Sequence, residues 1–124
     1  MGRKIWVVVA LLAFGYTLLP AMPAAAGYGA IAWDQETARG GWSWNERTQD
    51  RADELAVEHC KSSGCKVIFR VGPTLCGAIA TTRDGKHAGA ASRPNRDTAR
   101  SAALKDCEKD KAGECVVRVA GCNK

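Results

Sequence analysis

Residues 29–32 and residues 77–80 both read Gly-Ala-Ile-Ala, a run found nowhere else in the 124-residue chain. Two such runs at a fixed offset mark internal duplication, and duplication restricts the fold to one small unit packing against its own copy. The correspondence continues downstream. After a one-residue deletion the offset changes from 48 to 47, and Thr48 aligns with Asn95, Asp50 with Asp97, Ala52 with Ala99, Ala56 with Ala103 and Cys60 with Cys107. Leu55 then faces Ala102, and Val57 faces Leu104.

The aligned residues fall where helix physics places them. Thr48 and Asn95 are N-cap residue types, and Asp50 and Asp97 follow where the helix dipole favours a negative charge. Ala52, Leu55, Ala56, His59 and Cys60 recur as the stripe of a helix packed on one face, and Ala99, Ala102, Ala103 and Cys107 repeat it. Upstream of each helix, "GAIAW" and "GAIAT" are short apolar runs, each followed by a Gly-containing turn and a second extended stretch, "WSWN" or "HAGAA". Downstream, "CKVIFRV" and "CVVRVAG" are rich in Val and Ile and suit a pleated sheet. Each copy, about 28–75 and 76–122, therefore reads strand, strand, helix, strand, with Gly72-Pro73-Thr74 as the joining turn. The expected fold is α+β: two tandem repeats with an approximate internal two-fold, forming one largely antiparallel sheet with both helices on one side.

Residues 1–26 predict an export signal. Arg3 and Lys4 precede an apolar run from Ile5 to Leu19, and Ala24-Ala25-Ala26 offers small residues for cleavage before Gly27. The run is shorter than a bilayer span requires, and Pro20 and Pro23 break its end. A single domain over 27–124, secreted or periplasmic, is the expected product. A domain of that size has a marginal hydrophobic core and benefits from crosslinks. All six cysteines lie within it, and in an exported chain an even count reads as a disulfide framework.

The repeat narrows the cysteine pairing. Cys60 and Cys107 each end a helix, and Cys65 and Cys115 each begin the next strand, so Cys60–Cys65 and Cys107–Cys115 are equivalent local staples, leaving Cys76 to Cys122. The spacings contain no C-x2-C pair, and the chain has two histidines, which argues against a zinc site. No metal or cofactor is expected. The charges are interspersed, and the three tryptophans after the leader lie in the first half while most Arg and Lys lie in the second. Nucleic-acid binders usually gather basic and aromatic residues together, so that class is set aside.

At these residues the chain resembles a known family. "YGAIAWD", "GGWSWN", the Ala-rich helix ending in Cys60, "CKVIF" and "CGAIA" occur in order along residues 27–124, as in the exported bacterial domain-of-unknown-function family 4189. The resemblance implies a small secreted bacterial protein and supplies no catalytic residues.

Catalytic constellations are weakly represented. His59 lies on the expected core-facing stripe beside Cys60, and His87 falls in a strand or turn. Disulfide-bonded cysteines are not nucleophiles. Asp50, Asp53 and Glu54 sit on the first turns of a helix, where acids ordinarily serve the dipole. The distinctive chemistry is aromatic. Trp42 and Trp44 are two apart and share a strand face, with Trp33 on the partner strand, whereas the second hairpin offers Thr81, His87, Ala88 and Ala90. Either the tryptophans fill the core, the small side chains of the second copy making room, or Trp33, Trp42 and Trp44 form a contact surface for a protein, peptide or glycan. The expected function is a non-enzymatic protein- or envelope-binding module; a hydrolase of envelope or host material and a structural envelope component are the alternatives.

Overall fold

The computed structural model describes residues 27–110 and 113–124, so the expected export signal lies outside the described residues. The first copy comprises β1 (Tyr28–Asp34), β2 (Arg39–Glu46), α1 (Gln49–Cys60) and β3 (Lys66–Val71). The second comprises β4 (Cys76–Thr82), β5 (Ala88–Arg93), α2 (Arg96–Glu108) and β6 (Cys115–Cys122). The fold is α+β and built of two repeats.

Both helices begin as their sequences dictate. The Thr48 side chain accepts a hydrogen bond from the Arg51 amide at 3.1 Å, and that of Asn95 accepts one from the Thr98 amide at 2.9 Å. Each helix buries small residues at a spacing of four: Ala52, Ala56 and Cys60 in α1, Ala99, Ala103 and Cys107 in α2. Leu55 is half-buried and His59 exposed, because they lie beside this line rather than on it, so His59 is not the core-facing residue expected of it. The small stripe lets each helix settle onto its strand. A Cβ on Gly41 would overlap the Ala56 carbonyl and the Cys60 amide, and one on Gly89 would overlap the equivalent Cys107 amide and crowd the Ala103 carbonyl.

The strands divide into two antiparallel three-stranded sheets, β2-β1-β3 and β5-β4-β6, rather than sharing one. The reason lies in the repeated run. Ala30 and Ala32 pack under α1, and Ala78 and Ala80 under α2. Ile31, Trp33, Ile79 and Val119 point the other way, into one cluster joined by Trp44 and Phe69. Both central strands are thus apolar on both faces, and a single sheet with helices on one side would leave the isoleucines in water. Stacking the sheets buries them, with the helices on the two outer faces. In the stack β2 lies over β6, and β3 runs along the side where β5 forms the edge of the other sheet.

Disulfides close Cys60–Cys65, Cys76–Cys122 and Cys107–Cys115. The two halves are also stitched by polar contacts. The Trp33 indole N–H donates to the Gly85 carbonyl at 2.9 Å, and the Asn123 side chain donates to the Val71 and Gly72 carbonyls while accepting the Asn45 amide at 2.8 Å. Among the described residues, no helix is long and apolar enough to cross a membrane.

Candidate functional site

The sandwich has two seams, β2 against β6 and β3 beside β5, and the internal two-fold relates them. They are filled differently. On β2, Trp44 lies half-buried across Gly29 and Gly121, and Trp42 stands beside it toward the rim. At the corresponding positions of β5 the chain has Ser92 and Ala90. The seam whose twin is closed by the Trp44 indole is therefore open.

A groove occupies the opening. One cavity of about 820 Å³ and a second of about 380 Å³ share Phe69, Ala90 and Asp106, and a third of about 480 Å³ joins the second at Trp33, Gln35 and Ile68. The apolar wall on the β3 side arises from a β-bulge. Phe69 pairs with Ile31 and Val67 with Ala32, which leaves Ile68 unpaired and 42% exposed at the edge. The second copy has the same bulge between Val117 and Val119, but there the extra residue is Arg118. Its guanidinium donates to the Thr81 hydroxyl at 2.9 Å and to the Thr82 and Arg83 carbonyls. One bulge is tied down by polar contacts, and the other presents an isoleucine to the groove.

The opposite wall is α2, with Thr98, Ser101, Ala102, Lys105, Asp106 and Lys109 along the opening. Asp106 accepts from the Ala90 amide at 3.1 Å and pairs with Lys109 at 2.9 Å. The Lys109 ammonium, and after it the Ala90 N–H, hold the Asp106 carboxyl below the usual carboxylate range. Lys105 and Arg93 are exposed on the rim and have no ion-pair partner among the described residues. The Ser92 hydroxyl is buried without a hydrogen-bond partner. An apolar floor, a basic rim and a committed carboxylate suit the binding of an apolar or aromatic group with negative charge nearby.

The three tryptophans do not form one surface. Trp33 is 5% exposed with its N–H satisfied by Gly85, so it packs in the core and lines one end of the groove. Trp44 belongs to the inter-sheet cluster at the opposite seam. Trp42 is 44% exposed there. Asp50 and Glu54 are exposed on α1, and Asp53 is paired with Arg70 at 2.8 Å, whose guanidinium lowers its pKa. His87 is exposed. No group of three or more His, Cys, Asp or Glu side chains able to hold a metal occurs among the described residues.

Residues 28–122 match the family described as "Domain of unknown function (DUF4189)". The chain is 42% identical over 59 residues to the uncharacterized protein Rv1813c of Mycobacterium tuberculosis and, to the same extent, to the uncharacterized protein Mb1843c of Mycobacterium bovis. That match covers 48% of this chain and 39% of each relative, so it spans about two fifths of the length of the curated relatives. The NMR structure of Rv1813c shares the fold, with a TM-score of 0.58 at 21% identity over 99% of this chain and 97% of that one.

Proposed function

The chain belongs to the DUF4189 family, whose description assigns no activity, and from the shape of its open seam we propose that it is an exported, non-enzymatic binding module, the groove between β3 and β5 being its contact surface. Residues 1–26 direct export in this reading, and the three disulfides fit an oxidising compartment outside the cytoplasm. The observation that carries it is the contrast between the seams: Trp42 and Trp44 on one, Ala90 and Ser92 on the other. A duplicated unit that closed both seams alike would have no groove. The vacated space, about 820 Å³, has room for aromatic side chains and is lined by Phe69 and Ala90 with Arg93 and Lys105 at its rim, so it favours an extended segment carrying aromatic rings and acidic neighbours. Its envelope or protein target shares that chemistry.

A titration tests the reading. The probe is a synthetic peptide with tryptophan-serine-tryptophan flanked by aspartates, added to the oxidised, isotope-labelled protein. Amide shifts confined to Phe69, Ala90–Arg93 and Lys105 are expected, and Ala90→Trp should remove them. Shifts at the Trp42 seam alone, or none at about 1 mM peptide, a weak-binding ceiling, would overturn the proposal.

A further inference from the structure

Trp42, Ile68 and Val57 are the exposed large apolar side chains among the described residues, and Trp42 is the most exposed. It stands on β2 where Ala90 stands on β5, so one seam carries a projecting indole and the other the space that an indole would fill. The charges beside them differ in the same sense. On α1 the positions matching Ser101 and Lys105 of the groove are Glu54 and Glu58, both exposed. Glu54 pairs with Arg51 at 3.2 Å, whereas Glu58 has no ion-pair partner among the described residues. An acidic residue therefore accompanies the projecting tryptophan, and unpaired cations accompany the groove.

We infer that the occupant of the groove is a second copy of this chain, whose Trp42 fills the space over Ala90 while its Glu58 meets Lys105 and Arg93 on the rim. This rests on the groove being the contact surface. Exposed aromatic anchors entering a small-residue pocket, with charged pairs at the rim, are the usual carriers of interface affinity and register. The two surfaces lie on opposite seams, so the contact is heterologous and propagates head to tail instead of closing into a symmetric dimer. Side chains make it, not added strands, because His59 already occupies the Trp42 carbonyl at the β2 edge and Asp106 the Ala90 amide at the β5 edge.

Two variants isolate the two halves of the contact. Trp42→Ala keeps the groove and loses the anchor; Ala90→Trp keeps the anchor and fills the groove. In sedimentation velocity of the oxidised protein up to about 1 mM, wild type should gain mass with concentration and each variant should remain monomeric. An equal mixture of the two should give a one-to-one heterodimer and nothing larger. Glu58→Lys, a change at an exposed site that tests the contact even where Ala90→Trp fails to fold, should weaken association at least about ten-fold, and mixing it with Lys105→Glu should restore it. Wild type that stays monomeric throughout, association that survives Trp42→Ala, or association that Glu58→Lys leaves undiminished, overturns the inference. Should the monomer still bind the acidic tryptophan peptide at the groove, self-association alone is refuted and the groove remains the contact surface.

Discussion

His59 Nδ1 lies 3.0 Å from the Trp42 carbonyl oxygen, at the point on α1 where α2 places Asp106 against the Ala90 amide at 3.1 Å. The two helix positions precede Cys60 and Cys107, and the two strand positions are the repeat equivalents on the sheet edges. A carbonyl only accepts, so Nδ1 carries the hydrogen; an amide only donates, so the second copy uses a carboxylate. The duplicated unit has kept the place of its edge latch and reversed the polarity. Both latches occupy backbone groups that an unpaired edge strand would offer to another chain.

Removing the second latch should therefore be felt at the β5 edge. Asp106→Ala leaves the Ala90 amide without its acceptor and should cost about 1–2 kcal/mol, with faster hydrogen exchange at Ala90. Asp106→Asn retains a side-chain carbonyl and should cost less. Equal exchange at Ala90 in both variants and in wild type would show that the latch contributes nothing.

The disulfides should differ in worth according to the chain they enclose. Cys76–Cys122 spans 46 positions, whereas Cys60–Cys65 spans 5. In the chain-entropy treatment the larger loop contributes about 4 kcal/mol and the smaller about 2 kcal/mol. Guanidinium unfolding of the Cys76→Ala/Cys122→Ala and Cys60→Ala/Cys65→Ala proteins should reproduce that order. The reverse order would mean that native packing around Cys60 outweighs loop length.

Much of this architecture is legible in the sequence because it rests on local rules. Thr48 and Asn95 signal helix starts, and the shared positions of Cys60 and Cys107 constrain the pairing of all six cysteines. The stacking of two sheets is less visible. Its signal is that Gly-Ala-Ile-Ala is apolar on both faces, with alanine toward the helix and isoleucine away from it. Which partner covers the isoleucines depends on contacts far apart in sequence. The groove is harder still, since small residues at Ala90 and Ser92 create it, and their meaning emerges only once β5 lies beside Phe69 of β3. Nor does the run Lys66–Val71 announce that a bulge will turn Ile68 outward.

Acid should weaken the fold through particular carboxylates. The Ser62 hydroxyl lowers the pKa of Asp34, the Arg70 guanidinium that of Asp53, the Thr82 hydroxyl that of Asp84 and the Lys109 ammonium that of Asp106. Each group binds its proton more weakly folded than unfolded. Its stabilisation is present above the unfolded value of about 3.9 and is lost as pH falls through the lower folded value. Urea midpoints should therefore be nearly constant from about pH 7 to about pH 5 and decline below about pH 4. Asp34→Asn should make that decline shallower. A midpoint unchanged at low pH would remove these carboxylates from the account of stability.

The tryptophans should separate into three classes that follow their surroundings. Trp33 is buried and bonded to Gly85, so Trp33→Ala removes a core aromatic and leaves a buried carbonyl unpaired; a loss of about 3–5 kcal/mol is expected. Trp44 packs on Gly29 and Gly121 across the closed seam while keeping one side toward solvent, and its truncation should fall below that range. Trp42 is nearly half exposed, and Trp42→Ala in dilute solution should change stability by no more than about 1 kcal/mol. Fluorescence gives the same order, with blue-shifted, poorly quenched emission from Trp33 and ready acrylamide quenching of Trp42. A Trp42→Ala protein as unstable as Trp33→Ala would make Trp42 a core residue and take away the anchor on which the head-to-tail contact depends.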